Sequence, residues 1–238
     1  MKSFKMPRQL ALSLFILASV GNLVGKFVGV NILAVCTKPL IVPSLALFCW
    51  MLLRENDVRG SRVATLMLAM VFGTLGDILL MFSGQSCFQA GLLAFFIGHL
   101  FYLSTIPFPD KNGCRRIFSI ALMVVLITIL SIASQFFAVK GFMGMCVTAY
   151  ACVFAFVLHS GIMAAIETKS RLYVVTVIGY VLFVISDTIL ATGVFTDIKI
   201  HFRGFWVMLT YILAQFFIAV SLTKEEIRNH RTINASAN

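Results

Sequence analysis

Two aspartates lie inside long apolar stretches of this chain. Asp77 belongs to the run Gly76–Leu80 and Asp187 to the run Ser186–Leu190, whereas the other seven acidic residues fall in predicted loops or in the polar C-terminal tail. A carboxylate in hydrocarbon is disfavoured by about 2.5–3.5 kcal/mol, so acids at such positions usually have a function. Two neighbouring carboxyl groups tend to share one proton, which supplies one acid and one base. The pair is therefore a candidate for acid–base catalysis.

The elements that must position these aspartates are membrane-spanning helices. Apolar residues make up 60% of the 238 and charged residues only 12%, with a mean hydropathy of +0.99. A soluble domain carries about 25% charged residues. We expect an all-α polytopic membrane protein, one bundle of eight transmembrane helices without a soluble domain. The predicted spans are about 9–25, 37–53, 62–82, 87–106, 116–137, 142–166, 171–191 and 203–222.

The basic residues predict the orientation of the bundle. With the N-terminus inside, the inside segments hold 14 of the 19 Lys and Arg residues. This asymmetry follows the positive-inside rule and predicts that both termini are inside (N-in, C-in). The net charge of +10 is then a property of topology, with some attraction to anionic lipid head groups, and does not indicate a nucleic-acid partner.

The two aspartates occupy comparable positions in the two halves of the chain. The polar loop Pro107–Arg116 divides the eight spans into four plus four, so a parallel internal repeat of about residues 1–110 and 111–238 is one interpretation. Spans three and seven run in the same direction and place Asp77 and Asp187 roughly 22–24 Å from the inner boundary. Both carboxyl groups should therefore lie at a similar depth, nearer the outer face.

Prolines and cysteines add structural expectations. Pro39 and Pro43 should open the second span, and Pro107 and Pro109 should close the fourth, as prolines at helix ends do. The six cysteines form no C-x-x-C pair and are predicted to be small core residues without disulfides. No compact histidine cluster indicates zinc, so we expect no metal or cofactor.

A few other polar residues lie in the spans. His99 and Tyr102 share one face of the fourth span, and Tyr211 and Gln215 share one face of the eighth. Each could act at a site or simply form a hydrogen bond between helices. Lys38 should open the second span on the outer side, where it could extend toward water or meet a lipid phosphate.

Three other interpretations of the aspartate pair remain. The acids could be structural, or they could form the ion site of a proton- or cation-coupled transporter, which would favour broken helices around them. An intramembrane aspartyl protease would carry a G-x-G-D motif, but Thr74 occupies the position of its first glycine.

The ordered set of motifs from about residue 10 to 222 resembles the YhhN-like lysoplasmalogenase family. The similarity rests on these segments: Thr37–Leu40, Gly76–Asp77, Gly98–Tyr102, Phe183–Asp187 and Tyr211–Gln215. The resemblance implies an integral membrane hydrolase with eight spans. It would cleave the vinyl ether bond of lysoplasmalogens and release a fatty aldehyde and a glycerophospho-ethanolamine or -choline.

The resemblance also implies roles for residues. Asp77 and Asp187 correspond to the family's proposed catalytic aspartates, one as proton donor and the other stabilising the cation and positioning water. Four polar residues would orient the ether oxygen, the water or the aspartates, while Lys38 would hold the phosphate; those four are His99, Tyr102, Tyr211 and Gln215. The partners would be a lysophospholipid substrate and membrane lipids, and the host membrane a bacterial inner membrane or the endoplasmic reticulum.

Overall fold

The fold is a bundle of eight α-helices, seen in a computed structural model that describes residues 8–107, 113–137, 139 and 141–237. Each predicted span corresponds to one helix, and all eight are long and apolar enough to cross a membrane. The part of the chain that is described contains no strand. The helices are α1 (Arg8–Val28), α2 (Asn31–Glu55), α3 (Ser61–Leu79), α4 (Gln85–Thr105), α5 (Gly113–Gln135), α6 (Gly141–Thr168), α7 (Arg171–Phe195) and α8 (Arg203–Ala237).

Consecutive helices pack as antiparallel pairs, which gives the bundle two ends. At the end where the odd-numbered helices begin, here called the terminal face, Arg8 forms an ion pair of 2.7 Å with Glu55. At the opposite end, the distal face, Phe27 of α1 stacks on Phe202 with ring centroids 4.8 Å apart. Both chain ends of the described bundle therefore lie toward the terminal face.

The outer surface is apolar and the interior holds the polar side chains. Large hydrophobic residues such as Leu17 and Ile32 are 69% and 74% exposed, as expected for helices that face lipid chains. The core lies between α2, α3, α4 and α6–α8. Helix α5 lies at the periphery, packed on α6, and Ser119 Oγ contacts His159 Nε2 at 2.8 Å there.

The expectation that Lys38, Pro39 and Pro43 open the second span was wrong, because all three lie inside α2. The helix begins earlier, directly after a tight turn at Gly29, whose φ of +82° suits a residue without a side chain. Asn22 Nδ2 fixes this early turn by donating a hydrogen bond of 2.8 Å to the carbonyl of Ala34. Pro107 follows the end of α4 as predicted, and Pro109 lies outside the described residues.

The C-terminal segment is not a separate polar tail. Helix α8 continues through it to Ala237, and Glu225 is only 3% exposed rather than solvated. Its Oε2 accepts a hydrogen bond of 2.8 Å from Ser170 Oγ, and Arg228 forms an ion pair with it. Pairing explains why a carboxylate is tolerated there.

The cysteines are free thiols wherever the structure describes them, but the prediction that they are core residues holds only in part. Cys49 is buried, whereas Cys36 is exposed on the outer surface and three others are intermediate. The side chain of Cys114 lies outside the described part.

Candidate active site

Asp77 is buried near the distal end of α3 and is contacted by two other helices. It is 3% exposed. Tyr211 Oη of α8 donates a hydrogen bond of 2.6 Å to its Oδ2, and Lys38 Nζ of α2 lies 3.8 Å from its Oδ1. Gln215 Nε2, one turn further along α8, donates to Tyr211 Oη at 3.1 Å. The predicted site residues Lys38, Tyr211 and Gln215 are thus brought together around this carboxyl group.

Glycines in α3 allow the close packing that positions Asp77. A Cβ atom added at Gly76 would lie 2.7 Å from Cε2 of Phe95 in α4. No side chain fits at such a distance, so the contact between α3 and α4 needs glycine at this position. The neighbouring Gly73 is less confined, because its added Cβ would lie 3.6 Å from Gln215 Nε2.

Asp187 has a different set of neighbours. It lies in α7, and Tyr150 Oη of α6 donates a hydrogen bond of 2.9 Å to its Oδ2. None of the described ion pairs involves Asp187, so its partner is a neutral hydroxyl rather than an ammonium group. Asp187 is only partly buried, because its side chain reaches a pocket.

The two aspartates lie equally far from the first residues of their helices, as the sequence predicts. Asp77 lies 16 residues after the first residue of α3, and Asp187 lies 16 after the first residue of α7. Each is therefore roughly 24 Å from the terminal end of its helix. Phe183, one turn before Asp187, packs against the ring of Tyr211, the partner of Asp77, with centroids 5.5 Å apart, which connects the two sides of the site.

His99 and Tyr102 are buried on α4, on the face that points into the site. His99 is 2% exposed, and neither of its ring nitrogens has a hydrogen-bond partner among the described residues. The hydroxyl groups of Tyr102 and Tyr180 are buried and unpartnered in the same way. Aromatic rings surround His99, with centroids 4.7–6.4 Å away, and belong to Tyr102, Tyr150, Phe154, Tyr180 and Phe183. Buried polar groups are normally paired, so a bound water or ligand is the expected partner of these groups.

Tyr150 and Tyr180 are site residues that the sequence analysis missed. The chain has only five tyrosines; two of them bond to the aspartates, and two others contact His99. The depth argument could have found Tyr150. It lies 9 residues into α6 and Asp187 lies 8 residues before the end of α7, so both are roughly 12–14 Å from the distal face.

A large apolar pocket adjoins Asp187 but not Asp77. It contains about 820 Å³ of space free of protein atoms, and residues from α4, α5, α6 and α7 form most of its wall. Asp187 and Tyr150 line it, whereas Asp77 does not. The site thus has a charged side at Lys38 and an apolar side at the pocket.

The described side chains include no group of three His, Cys, Asp or Glu residues placed to hold a metal ion. The aspartates are contacted by tyrosine hydroxyls and a lysine, and Gln215 acts through Tyr211. His159 lies apart from the site, against Ser119 of α5. The arrangement suits proton transfer by the carboxyl groups.

Fold and site together define a multi-pass integral membrane protein with a pair of carboxyl groups in its interior. A sequence profile of the YhhN family matches residues 33–222, which includes every predicted site residue. The chain belongs to this family, the family of the integral membrane lysoplasmalogenases, which confirms the resemblance seen in the sequence. No curated protein and no solved structure matches the chain.

Proposed function

We propose that the protein hydrolyses the vinyl ether bond of lysoplasmalogens. The substrate would be a 1-alkenyl lysophospholipid, and the products a fatty aldehyde and glycerophospho-ethanolamine or glycerophospho-choline. One observation carries the proposal: in a chain of the YhhN family, two aspartates inside the bundle are each bound by a tyrosine hydroxyl, and one of them lines an apolar pocket.

The chemistry of a vinyl ether needs what this pair of carboxyl groups can supply. Hydrolysis starts with protonation of C2, the β-carbon, which turns C1 and the ether oxygen into an oxocarbenium ion. A second carboxylate stabilises that cation and takes a proton from the attacking water, as in glycosidases with two carboxyl groups. The hemiacetal then collapses to the aldehyde and the free hydroxyl of glycerol. No redox step occurs.

The remaining site residues would hold and orient the reacting groups. Tyr211, backed by Gln215, fixes Asp77, and Tyr150 fixes Asp187. The unpartnered nitrogens of His99 and the hydroxyl of Tyr102 could bind the ether oxygen or the water.

Lys38 would hold the lipid phosphate. Its distance of 3.8 Å from Asp77 Oδ1 is longer than a hydrogen bond, so its ammonium donors remain able to bind a second anion. In this arrangement Lys38 would contact both the phosphate of the substrate and the carboxylate of Asp77, which would face the ether oxygen.

The first test is aldehyde release from 1-alkenyl lysophosphatidylethanolamine by detergent-purified protein. The wild type should release aldehyde, whereas the saturated 1-alkyl ether should remain intact. Asp77→Asn and Asp187→Asn should each lower turnover by at least about a thousandfold, because each removes a group that acts in the transition state. Elution as a monodisperse peak with wild-type helicity would show that the variants fold. An active Asp77→Asn or Asp187→Asn enzyme would contradict the assignment.

The structure offers little to favour the transporter alternative. Helix α7 runs unbroken from Arg171 to Phe195 through Asp187, and α3 is continuous through Asp77. Transporter ion sites near the midplane typically use discontinuous helices, whose free carbonyls coordinate the ion.

A further inference from the structure

The pocket beside Asp187 has the form of a site for one hydrocarbon chain. Its walls are almost wholly apolar, and the space of about 820 Å³ between them includes the open mouth of the pocket. Near the distal face its wall contains three phenylalanines, one of which contacts the other two. The ring of Phe195 lies 5.7 Å from that of Phe88 and 6.3 Å from that of Phe137. We call this space the chain pocket.

Few polar groups interrupt the wall of the chain pocket. Apart from Asp187 and Tyr150, its lining has polar side chains only at Ser134 and Thr188. Both hydroxyls donate hydrogen bonds to backbone carbonyls of their own helices, as Ser134 does to Ser131 and Thr188 to Val184. Asp187 therefore carries the one carboxyl group among the residues that line this pocket.

The two aspartates differ in the charge that accompanies them. Lys38 places an ammonium group beside Asp77, which stabilises the carboxylate form by direct attraction. Asp187 has the hydroxyl of Tyr150 on Oδ2, which leaves its other oxygen available to carry a proton. The ammonium group therefore favours the carboxylate form at Asp77, and no such cation accompanies Asp187 among the described ion pairs.

We propose that the chain pocket binds the alkenyl chain of the substrate and that Asp187 is the proton donor to C2. This inference rests on the proposed function. In a vinyl ether, C2 begins the apolar chain and the ether oxygen leads to the polar head group. A chain in the pocket with its phosphate at Lys38 therefore places C2 at Asp187 and the ether oxygen toward Asp77.

Over one turnover, each aspartate gives away and receives one proton. The O–H bond of Asp187 breaks as the π electrons of C1=C2 form the new C2–H bond, and C1 becomes the oxocarbenium carbon. Water bonds to C1 and gives a proton to the carboxylate of Asp77. As the hemiacetal collapses, Asp77 returns that proton to the departing glycerol oxygen, and Asp187 takes the hydroxyl proton of the hemiacetal. Both aspartates regain their starting states, and one water is consumed.

A matched pair of variants tests the chain pocket without requiring turnover. Ala191 lines the pocket one turn beyond Asp187, and Val194 is 48% exposed on the outer surface of the same helix. The probes are saturated 1-alkyl lysophospholipids of graded chain length, with dissociation constants measured on purified protein. Each buried methylene contributes up to roughly fourfold in affinity. Ala191→Phe should reduce the preference for long over short chains by at least about tenfold, whereas Val194→Phe should keep it.

Two results would overturn the chain pocket: a wild type without chain-length preference, or an Ala191→Phe variant that keeps the wild-type preference. The outcome is separable from that of the proposed function. Chain-length preference without aldehyde release would retain the pocket and reject the reaction. Aldehyde release with an unchanged preference in Ala191→Phe would retain the reaction and reject the pocket.

Deuterium exchange tests the role of Asp187. In D₂O, Asp77→Asn should still exchange hydrogen at C2 of the unreacted 1-alkenyl lipid, because Asp187 can protonate C2 reversibly while water addition is impaired. Asp187→Asn should show no exchange above the protein-free rate. Exchange in Asp187→Asn at a rate equal to or above that in Asp77→Asn would reject Asp187 as the donor.

Discussion

At the scale of single residues, the site is defined by what contacts each carboxyl group. Asp77 is bound by Tyr211 and accompanied by the ammonium group of Lys38, whereas Asp187 is bound by Tyr150 and reaches the chain pocket. Each aspartate also receives one partner from the helix that precedes it, Lys38 from α2 and Tyr150 from α6. The difference between these partners, a cation and a neutral hydroxyl, is the basis for giving the two acids different roles.

Tyr150 should be a positioning residue for Asp187. Tyr150→Phe removes one hydrogen bond to the carboxyl group, a loss of about 1–3 kcal/mol for a buried pair, so kcat should fall roughly tenfold to a hundredfold. KM should change little, because the ring remains in the wall of the chain pocket. Steady-state kinetics on 1-alkenyl lysophospholipid would measure both constants.

Tyr173→Phe is the matched control for Tyr150→Phe. Tyr173 is also a buried tyrosine, but it lies near the terminal face, close to Glu225 and away from both aspartates. The kcat of the Tyr173→Phe variant should remain within about twofold of the wild-type value, as for most changes distant from a site. Equal losses of kcat in the two variants would indicate a general packing effect instead of positioning.

At the scale of the elements, the site lies beside a close contact between α3 and α4. Gly76 lets the ring of Phe95 contact the backbone of α3 one residue before Asp77. Phe95 also lines the chain pocket, so one aromatic ring connects the packing of α3 against α4 with the wall of the pocket. This contact helps to fix the position of Asp77 relative to the chain pocket.

Gly76→Ala should therefore destabilise the bundle. The added Cβ would lie 2.7 Å from Phe95, and overpacking of this kind costs about 1–3 kcal/mol. Gly73→Ala is the control, because its Cβ would have ordinary contact distances and alanine favours the helix over glycine. Thermal unfolding in detergent should show a lower midpoint for Gly76→Ala and an unchanged or higher midpoint for Gly73→Ala. A Gly76→Ala midpoint equal to that of the wild type would show that α4 can move aside.

At the scale of the whole molecule, the bundle sorts its polar groups by position. Ion pairs such as Arg62 with Glu226 and Arg8 with Glu55 lie at the terminal face, and the paired aspartates lie toward the distal face. The surface between these faces is apolar. A lysophospholipid could therefore reach the site from the leaflet at the distal face, with its phosphate near Lys38 and its chain in the bundle.

The N-in, C-in orientation stays a prediction and can be measured by cysteine labelling in intact cells. Lys199→Cys, in the exposed segment between α7 and α8, should react with a membrane-impermeant maleimide from outside, because the distal face is predicted to be outside. Arg59→Cys, in the exposed turn between α2 and α3, should react only after permeabilisation. The reverse pattern would invert the topology and place the site near the inner leaflet.

The sequence by itself determined the eight spans, the two intramembrane aspartates and their common depth. These properties follow from local features, since the hydrocarbon thickness fixes the length of a span and the rise per residue fixes the depth of each side chain. Pairs within one helix, such as Tyr211 with Gln215, were found for the same reason. The prediction that Pro39 marks the start of a helix was wrong, because proline is tolerated inside membrane helices as well as at their ends.

Only the tertiary structure decided which helices meet. The bond from Tyr211 to Asp77 joins residues 134 positions apart, and the pair of Lys38 with Asp77 depends on α2 packing against α3 near the distal face. Neither the role of Tyr150 nor the chain pocket beside Asp187 is encoded in any one segment. Apolar helices in a membrane offer many similar faces to one another. Their neighbours are selected by close packing and by a few buried polar contacts, which arise only when the whole bundle has assembled.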